Sequence, residues 1–289
     1  MICVTGAGGT VGSALLMGLR RLATPIRAAF FSPEKAAAAR SAGMDAVTLD
    51  YHHPETLRAA FEGCHRLFLL GPNVVEQETL ELNAIAAASA SGIRHVVKLS
   101  VMGAEHGAYL LARIHRAVEE KLTASDMTWT FLRPNSFMQN VQTFMLPSIL
   151  AESAFYTASG SARVAHVDVR DIAAVAVEAL TDPAHARKAY TLTGPEALTY
   201  DEVARELSKA AGRAVRHVDL QPAELEGAML GTGMDPEMTA RLVDLERYFR
   251  EGGASLVTGD IRGVTGRKPR TFREYAREIG PLLGAADPT

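Results

Sequence analysis

The sequence predicts an α/β fold: a Rossmann-type, doubly wound parallel sheet with a smaller, mostly helical C-terminal domain. Three observations carry this reading. An apolar run at residues 1–5 meets a turn with glycines at Gly6, Gly9 and Gly12, and a helical stretch follows at once. Short apolar runs then alternate with helical ones as far as residue 134, the spacing of a parallel sheet built from βαβ units. Beyond residue 145 the alternation loosens and helix-start signals dominate. The domain boundary is therefore expected near residue 150, giving 1–150 and 151–289, with residues 164–193 returning to the sheet.

The elements follow in order. Residues 25–31 read as the second strand. Ser32 then caps a helix with Pro33 at its first position, because a serine oxygen satisfies an orphan amide and proline lacks one. Gly43 ends that helix, and residues 45–49 form strand three. A helix over 55–62 closes at Gly63, strand four covers 66–70, and Gly71-Pro72 stops it. An alanine-rich helix over 75–91 ends at Gly92; strand five spans 95–100, a helix 108–124 and strand six 128–132. In the second part, 164–167 is a candidate strand, Asp168 and Asp171 read as cap and third residue of a helix over 169–180, and 189–192 as a further strand. Thr199 with Glu202, and Thr271 with Glu274, fit the capping box, in which hydroxyl and carboxylate exchange bonds with the backbone.

The glycine spacing has a mechanism. Gly6 permits the tight turn, Gly9 lets the backbone approach a pyrophosphate, and Gly12 lets the helix pack closely on the strand. The amides of the helix start then face the phosphate charge. An ordinary tight turn has the same residues, and the flanking strand and helix favour the dinucleotide. A formal net charge of −3 gives no electrostatic case for nucleic acid or an anionic membrane. The basic cluster Arg262, Arg267, Lys268 and Arg270 reads as a solvated loop. Two cysteines, Cys3 and Cys64, make neither a disulfide framework nor a metal pattern, and no metal is expected. A reduced, cytoplasmic setting is the expectation, since the first strand leaves no room for a signal peptide and no apolar run is long enough to span a bilayer.

The chain resembles a known family. Residues Val4 to Gly12, then Leu49-Asp50-Tyr51, His95 through Ser100, His115 through Glu120, Phe131 through Asn140, Val167 through Ala173, and Tyr190 through Gly194 are similar to the NmrA-like branch of the atypical short-chain dehydrogenases. Within it, the type-2 NAD(P)H:quinone oxidoreductases and triphenylmethane reductases are the nearest in pattern. The resemblance implies that Gly6, Gly9, Thr10, Val11 and Gly12 hold the pyrophosphate of NADP, with NAD possible. It implies Asp50 on the adenine amino group with Tyr51 beside it, and Leu70, Gly71 and Pro72 along the adenosine. Ser100, Asn135 and Phe137 are expected near the nicotinamide. Asp50 also fits a helix-approach cap, and Phe137 with Met138 also fits plain core. The second domain is expected to shape the pocket of a small aromatic or quinonoid substrate, in a monomer or homodimer.

Two departures shape the chemistry. Where NADP-binding relatives carry an arginine after strand two, this chain has Phe31 and then Ser32, with Lys35 one turn on. Phe31 can stack on adenine, Ser32 can bond hydroxyl or phosphate, and Lys35 can reach a 2′-phosphate as a point charge. The Tyr-x-x-x-Lys pair of most short-chain dehydrogenases is replaced by Gly107 and Leu111. Tyr109 and Arg113 have the right spacing out of register, so Tyr109 is the remaining candidate proton donor. His115 and Glu119, at i and i+4, read as a helix-face salt bridge.

A ketone becomes an alkoxide whose conjugate acid resembles water at about 15.7, whereas a quinone gives a phenolate near 10. The difference is on the order of 8 kcal/mol of charge stabilisation, so a missing acid is severe for ketones and tolerable for quinones. The expected activity is NAD(P)H-dependent hydride transfer to a quinone or similar conjugated electrophile; the alternative is a non-catalytic redox-sensing regulator of the NmrA type.

Overall fold

A computed structural model describes residues 1–22 and 24–284. In chain order the first elements are β1 (Ile2–Val4), α1 (Thr10–Leu19), β2 (Ile26–Phe30), α2 (Pro33–Ser41), β3 (Asp45–Thr48) and α3 (Pro54–Phe61). Then come β4 (Arg66–Leu69), α4 (Gln77–Ala90), β5 (His95–Leu99), α5 (Leu110–Thr123) and β6 (Thr128–Pro134). After these the chain runs through α6 (Leu146–Glu152), β7 (Ala154–Thr157), α7 (Val169–Thr181) and β8 (Lys188–Leu192). It closes with α8 (Tyr200–Ala211), β9 (Arg216–Asp219), α9 (Pro222–Gly231), α10 (Pro236–Arg250), α11 (Asp260–Thr265) and α12 (Phe272–Leu283).

These elements fall into two compact units. The first comprises residues 1–107, 112–133 and 169–191, the second residues 108–111, 134–168 and 192 onward. The first unit is organised on a seven-stranded sheet in the order β3-β2-β1-β4-β5-β6-β8, with β1 to β6 paired in parallel. The order reverses between β1 and β4, so the C-terminal ends of these strands frame a topological switch point, where open α/β sheets bind ligands. Strands β4 and β5 are buried almost throughout because both sheet faces are covered. Leu57 and Phe61 of α3, Leu80 and Ile85 of α4, and Val118 and Leu122 of α5 share one core with Leu67, Leu69 and Val96. Ser32 caps α2 by accepting a bond from the Lys35 amide, as its position before Pro33 predicts.

The second unit has its own core. Met138, Ile149, Phe155 and Val164 pack with Tyr200, Leu207, Phe249, Phe272, Tyr275 and Leu283. Both expected capping boxes are present, at Thr199–Glu202 and Thr271–Glu274. The unit is mostly helical, and it also holds a short parallel pair, β7 with β9, that the pattern did not announce.

One expected strand is absent. Residues 164–167 make only isolated bridges, because successive residues turn to different neighbours. Val164 exchanges bonds with Leu198, Ala165 donates to Ala254, and Val167 donates to Ser136 and accepts from Met138. Among the described residues no helix is long and apolar enough to cross a membrane, and no group of three or more metal-ligating side chains occurs.

Candidate active site

The first unit's turn is built so that protein atoms fill some of its faces and leave another open. The Thr5 hydroxyl accepts from the Leu70 amide at 2.9 Å and lies 3.0 Å from the Phe68 carbonyl, fastening the ends of β1 and β4 across the switch point. Gly6 has φ +63°, a left-handed conformation, and a Cβ there would lie 2.9 Å from Leu70. A Cβ on Gly12 would come within 2.1 Å of the Gly6 carbonyl oxygen, so α1 rests directly on the turn. At Gly9 a Cβ would meet only the Gly6 oxygen, at 3.3 Å. Gly9 is exposed, begins α1 in extended conformation, and offers no side-chain cap to the amides behind it. The protein itself has little need of a glycine there; an anion drawing close to those amides does. Thr10 is exposed beside it, whereas the Val11 side chain is buried and reaches a ligand only through its backbone.

Gly8 has a reason too. A Cβ at this position would stand 3.3 Å from Lys35 Cδ and 3.3 Å from the Phe30 ring, so the lysine stem lies across the turn. Beyond Phe30, Phe31 is 74 % exposed, a flat apolar face at the end of β2. The Ser32 hydroxyl accepts from the Lys35 amide at 3.1 Å and donates to Glu34 Oε2 at 2.6 Å.

Asp50 Oδ1 accepts from the His52 amide at 2.9 Å, which shapes the turn before α3 and lowers the carboxyl below its usual range. Its Oδ2 has only His53, at 3.9 Å. The expectation for Tyr51 needs correction. Its ring is buried and its hydroxyl donates to the Leu70 carbonyl at 2.9 Å, so it props the Leu70–Pro72 ledge and presents no hydroxyl to a ligand. Gly71 is as small as it is because a buried carboxylate lies against it: a Cβ would fall 2.2 Å from Glu81 Oε1.

That carboxylate belongs to a network the sequence reading missed. Lys98 is fully buried in β5, 2.9 Å from Glu81 Oε2 and 3.2 Å from His115 Nδ1, and it also donates to the Leu99 carbonyl. Gln77 donates to Glu81 Oε1 at 3.2 Å. Burial, with the Lys98 charge beside it, drives the His115 pKa well below the ordinary imidazole value. His115 and Glu119 are therefore not a surface ion pair. Both are buried, and they serve different partners.

Glu119 serves Ser100. The Ser100 hydroxyl, at the C-terminal end of β5, donates to Glu119 Oε1 at 2.6 Å. Arg133 grips the same carboxylate through both oxygens, Nε to Oε1 at 3.0 Å and Nη2 to Oε2 at 2.6 Å, and reaches Glu105 Oε2 at 3.2 Å. A bidentate arginine fixes a carboxylate in plane and position. The Ser100 proton is thus turned into the protein. A serine ending an apolar strand signals a site, but nothing in the sequence says that a glutamate 19 residues later takes its proton.

In the second unit Tyr109 is 4 % exposed, with its ring 4.7 Å from that of Tyr248. It stands one residue before α5, so Tyr109 and Arg113 do not share a helical face, and Arg113 Nε donates to the Gly107 carbonyl at 3.3 Å. Asn135, expected near the nicotinamide, is buried with both ends of its amide committed. Nδ2 donates to the Ala254 carbonyl and Oδ1 accepts from the Ser136 amide, each at 2.8 Å. It braces backbone and is not poised to act on a substrate. Phe137 is half-buried, whereas Met138 belongs to the core.

The NAD(P)H-binding family model matches residues 6–183, which contain the three glycines of the turn and strands β2 to β6. An NAD(P)H azoreductase of Xenophilus azovorans is 35% identical over 287 residues, covering 99% of this chain and 100% of that protein. The structure of an NADPH-dependent quinone oxidoreductase from Escherichia coli, complexed with NADPH, superposes with a TM-score of 0.87 at 27% identity, covering 96% of this chain and 99% of that one. Triphenylmethane reductase of Citrobacter sp., complexed with NADP(H), gives 0.83 at 26%, covering 96% and 99%. The residues left open around Gly9 fit a dinucleotide pyrophosphate, and the chain belongs to the NAD(P)H-binding family, as one of its oxidoreductases.

Proposed function

We propose that this protein is a reductase that passes a hydride from NADPH or NADH directly to a quinone or a comparably conjugated electrophile, without a Tyr–Lys proton relay. The observation that carries the reading is the commitment of the Ser100 proton. A hydroxyl held at 2.6 Å by a carboxylate, itself locked by Arg133, is a poor donor to a nascent oxyanion. Tyr109, the other hydroxyl considered, is packed on Tyr248 with 4 % of its surface accessible. An acceptor whose reduced form is a stabilised anion needs neither.

When bound, the nicotinamide supplies the hydride. The protein holds the pyrophosphate on the amides behind Gly9, seats the adenosine past Phe31 and the Leu70–Pro72 ledge, and keeps Asp50 Oδ2 available to the adenine amino group. Phe137 offers the flat apolar surface on which an aromatic acceptor stacks, which orients two rings for transfer. The relatives named above, an azoreductase, a quinone oxidoreductase and a triphenylmethane reductase, support this acceptor chemistry.

The test is steady-state NADPH oxidation with a naphthoquinone, an azo dye and cyclohexanone. The first two are expected to turn over and the ketone not. Tyr109→Phe should retain quinone turnover within a few-fold, since a required general acid is worth about 10²–10⁴ in rate. A collapse in that variant together with good ketone turnover would overturn the reading. Tight dinucleotide binding with no turnover of any acceptor would replace it with a redox-sensing regulator.

A further inference from the structure

The exposed residues after β2 carry more information than a missing arginine. In a doubly wound sheet the adenosine half of a dinucleotide leaves the glycine turn over the strand next to β1, so its ribose 2′ group meets the residues following that strand. Here that strand is β2, and the residues are Phe31, Ser32, Pro33, Glu34 and Lys35.

Ser32 is the obvious polar contact, and its one proton is committed: the hydroxyl accepts from the Lys35 amide and donates to Glu34. The group it presents outward is therefore the Glu34 carboxylate, folded back by that 2.6 Å bond and with Oε1 outside it. Opposite in sign, Lys35 lays its stem beside Gly8, with Cδ 3.3 Å from where a Cβ would stand. An exposed acid and an exposed base, adjacent in the chain, thus follow the strand beside the glycine turn. Neither forms an arginine fork for a 2′-phosphate, nor the lone acid that rejects one.

We infer that Glu34 and Lys35 make a two-sided ribose subsite: Glu34 accepts the 2′-hydroxyl of NADH and opposes the 2′-phosphate of NADPH, while Lys35 attracts that phosphate and is indifferent to the hydroxyl. The protein consequently uses both cofactors, and each residue sets one side of the preference. This rests on the proposed dinucleotide placement but not on turnover.

The test is direct titration of the purified protein with NADPH and with NADH, by calorimetry, in the parent, Glu34→Gln and Lys35→Met. Methionine keeps an apolar stem over Gly8 while removing the charge, and both positions are exposed, so thermal midpoints should hold. The parent is expected to bind the two cofactors within about tenfold of each other. Glu34→Gln should tighten NADPH three- to tenfold and weaken NADH. Lys35→Met should weaken NADPH about 10- to 100-fold, as for a lost charge-assisted bond, and leave NADH within twofold. Raising salt should weaken NADPH more than NADH in the parent and equally in Lys35→Met. Parallel changes for both cofactors, or none, in the two variants would overturn the inference. A parent that binds both tightly yet reduces nothing would remove the reductase reading alone, and a parent that binds neither would remove the dinucleotide placement itself.

Discussion

Gly9 and Gly12 sit three residues apart in one turn, and the structure separates what each is for. A methyl at Gly9 meets one protein atom, the Gly6 oxygen, at 3.3 Å, in a backbone conformation (φ −87°, ψ 175°) open to any residue. Gly9→Ala should therefore destabilise the protein by no more than about 1 kcal/mol, the difference between glycine and alanine at a helix N-cap. The same methyl stands in the path of a pyrophosphate closing on the α1 amides. Losing one or two amide bonds to a charged phosphate, at about 1.5–3 kcal/mol each, weakens dinucleotide binding at least tenfold. Gly12→Ala does the reverse. Its methyl would be 2.1 Å from the Gly6 oxygen and 2.8 Å from the Gly6 carbonyl carbon, both backbone, so α1 must move off the turn. Overpacking of that kind costs about 1–3 kcal/mol, roughly 2–4 °C of melting temperature per kcal/mol at this chain length. Differential scanning calorimetry and NADPH titration on both variants check the pair. Parent-like affinity in a folded Gly9→Ala, or parent-like stability in Gly12→Ala, would refute the division of roles.

Other outcomes follow from buried charge. Burial holds the His166 pKa down at about 4. The unfolded chain takes up that proton first, so the stabilisation is present above about pH 6.5 and is lost as pH falls toward 4. Between pH 7 and 5 the loss is about 2 kcal/mol at 1.36 kcal/mol per unit, and urea midpoints should show His166→Phe losing correspondingly less than the parent. Equal acid sensitivity would contradict the assignment. Lys98→Met leaves the Glu81 carboxylate buried without its cation, a change worth about 3–5 kcal/mol of destabilisation by urea denaturation. Glu119→Ala should free the Ser100 hydroxyl and loosen Arg133; a change in the pH profile of quinone reduction, with kcat moving more than KM, distinguishes positioning of Ser100 from simple packing loss.

Most of the first unit was legible because glycine and proline punctuate it. Pro33 opens α2, and Gly63 and Gly92 follow α3 and α4. The short pair β7–β9 was not, since its two four-residue strands are some 60 residues apart and no local pattern encodes their meeting. The glycine turn could be read because Gly6 and Gly12 answer local steric demands. Asn135 and Tyr51 could not, because whether a polar group faces a ligand or a neighbouring carbonyl depends on residues distant in the chain: Ala254 for one, Leu70 for the other. Lys98 was visible as a lysine inside the largely apolar stretch His95–Leu99, and its partner Glu81 as an acid between Leu80 and Leu82. That pairing of anomalies is a signal sequence reading could have used.

The two hydrophobic cores have different histories during synthesis. The one beneath β4 and β5 draws on residues between Cys3 and Phe131, all of which are synthesised before any residue of the second. The second joins Met138 and Phe155 to Phe272 and Leu283, so it has no complete version until the last helix emerges. Until α12 is made, Phe155 and Tyr200 pack together without Phe272, Tyr275 and Leu283. A nascent chain in that state is a chaperone client and an aggregation hazard. Loss of α12 would leave that core permanently without Phe272, Tyr275, Ile279 and Leu283.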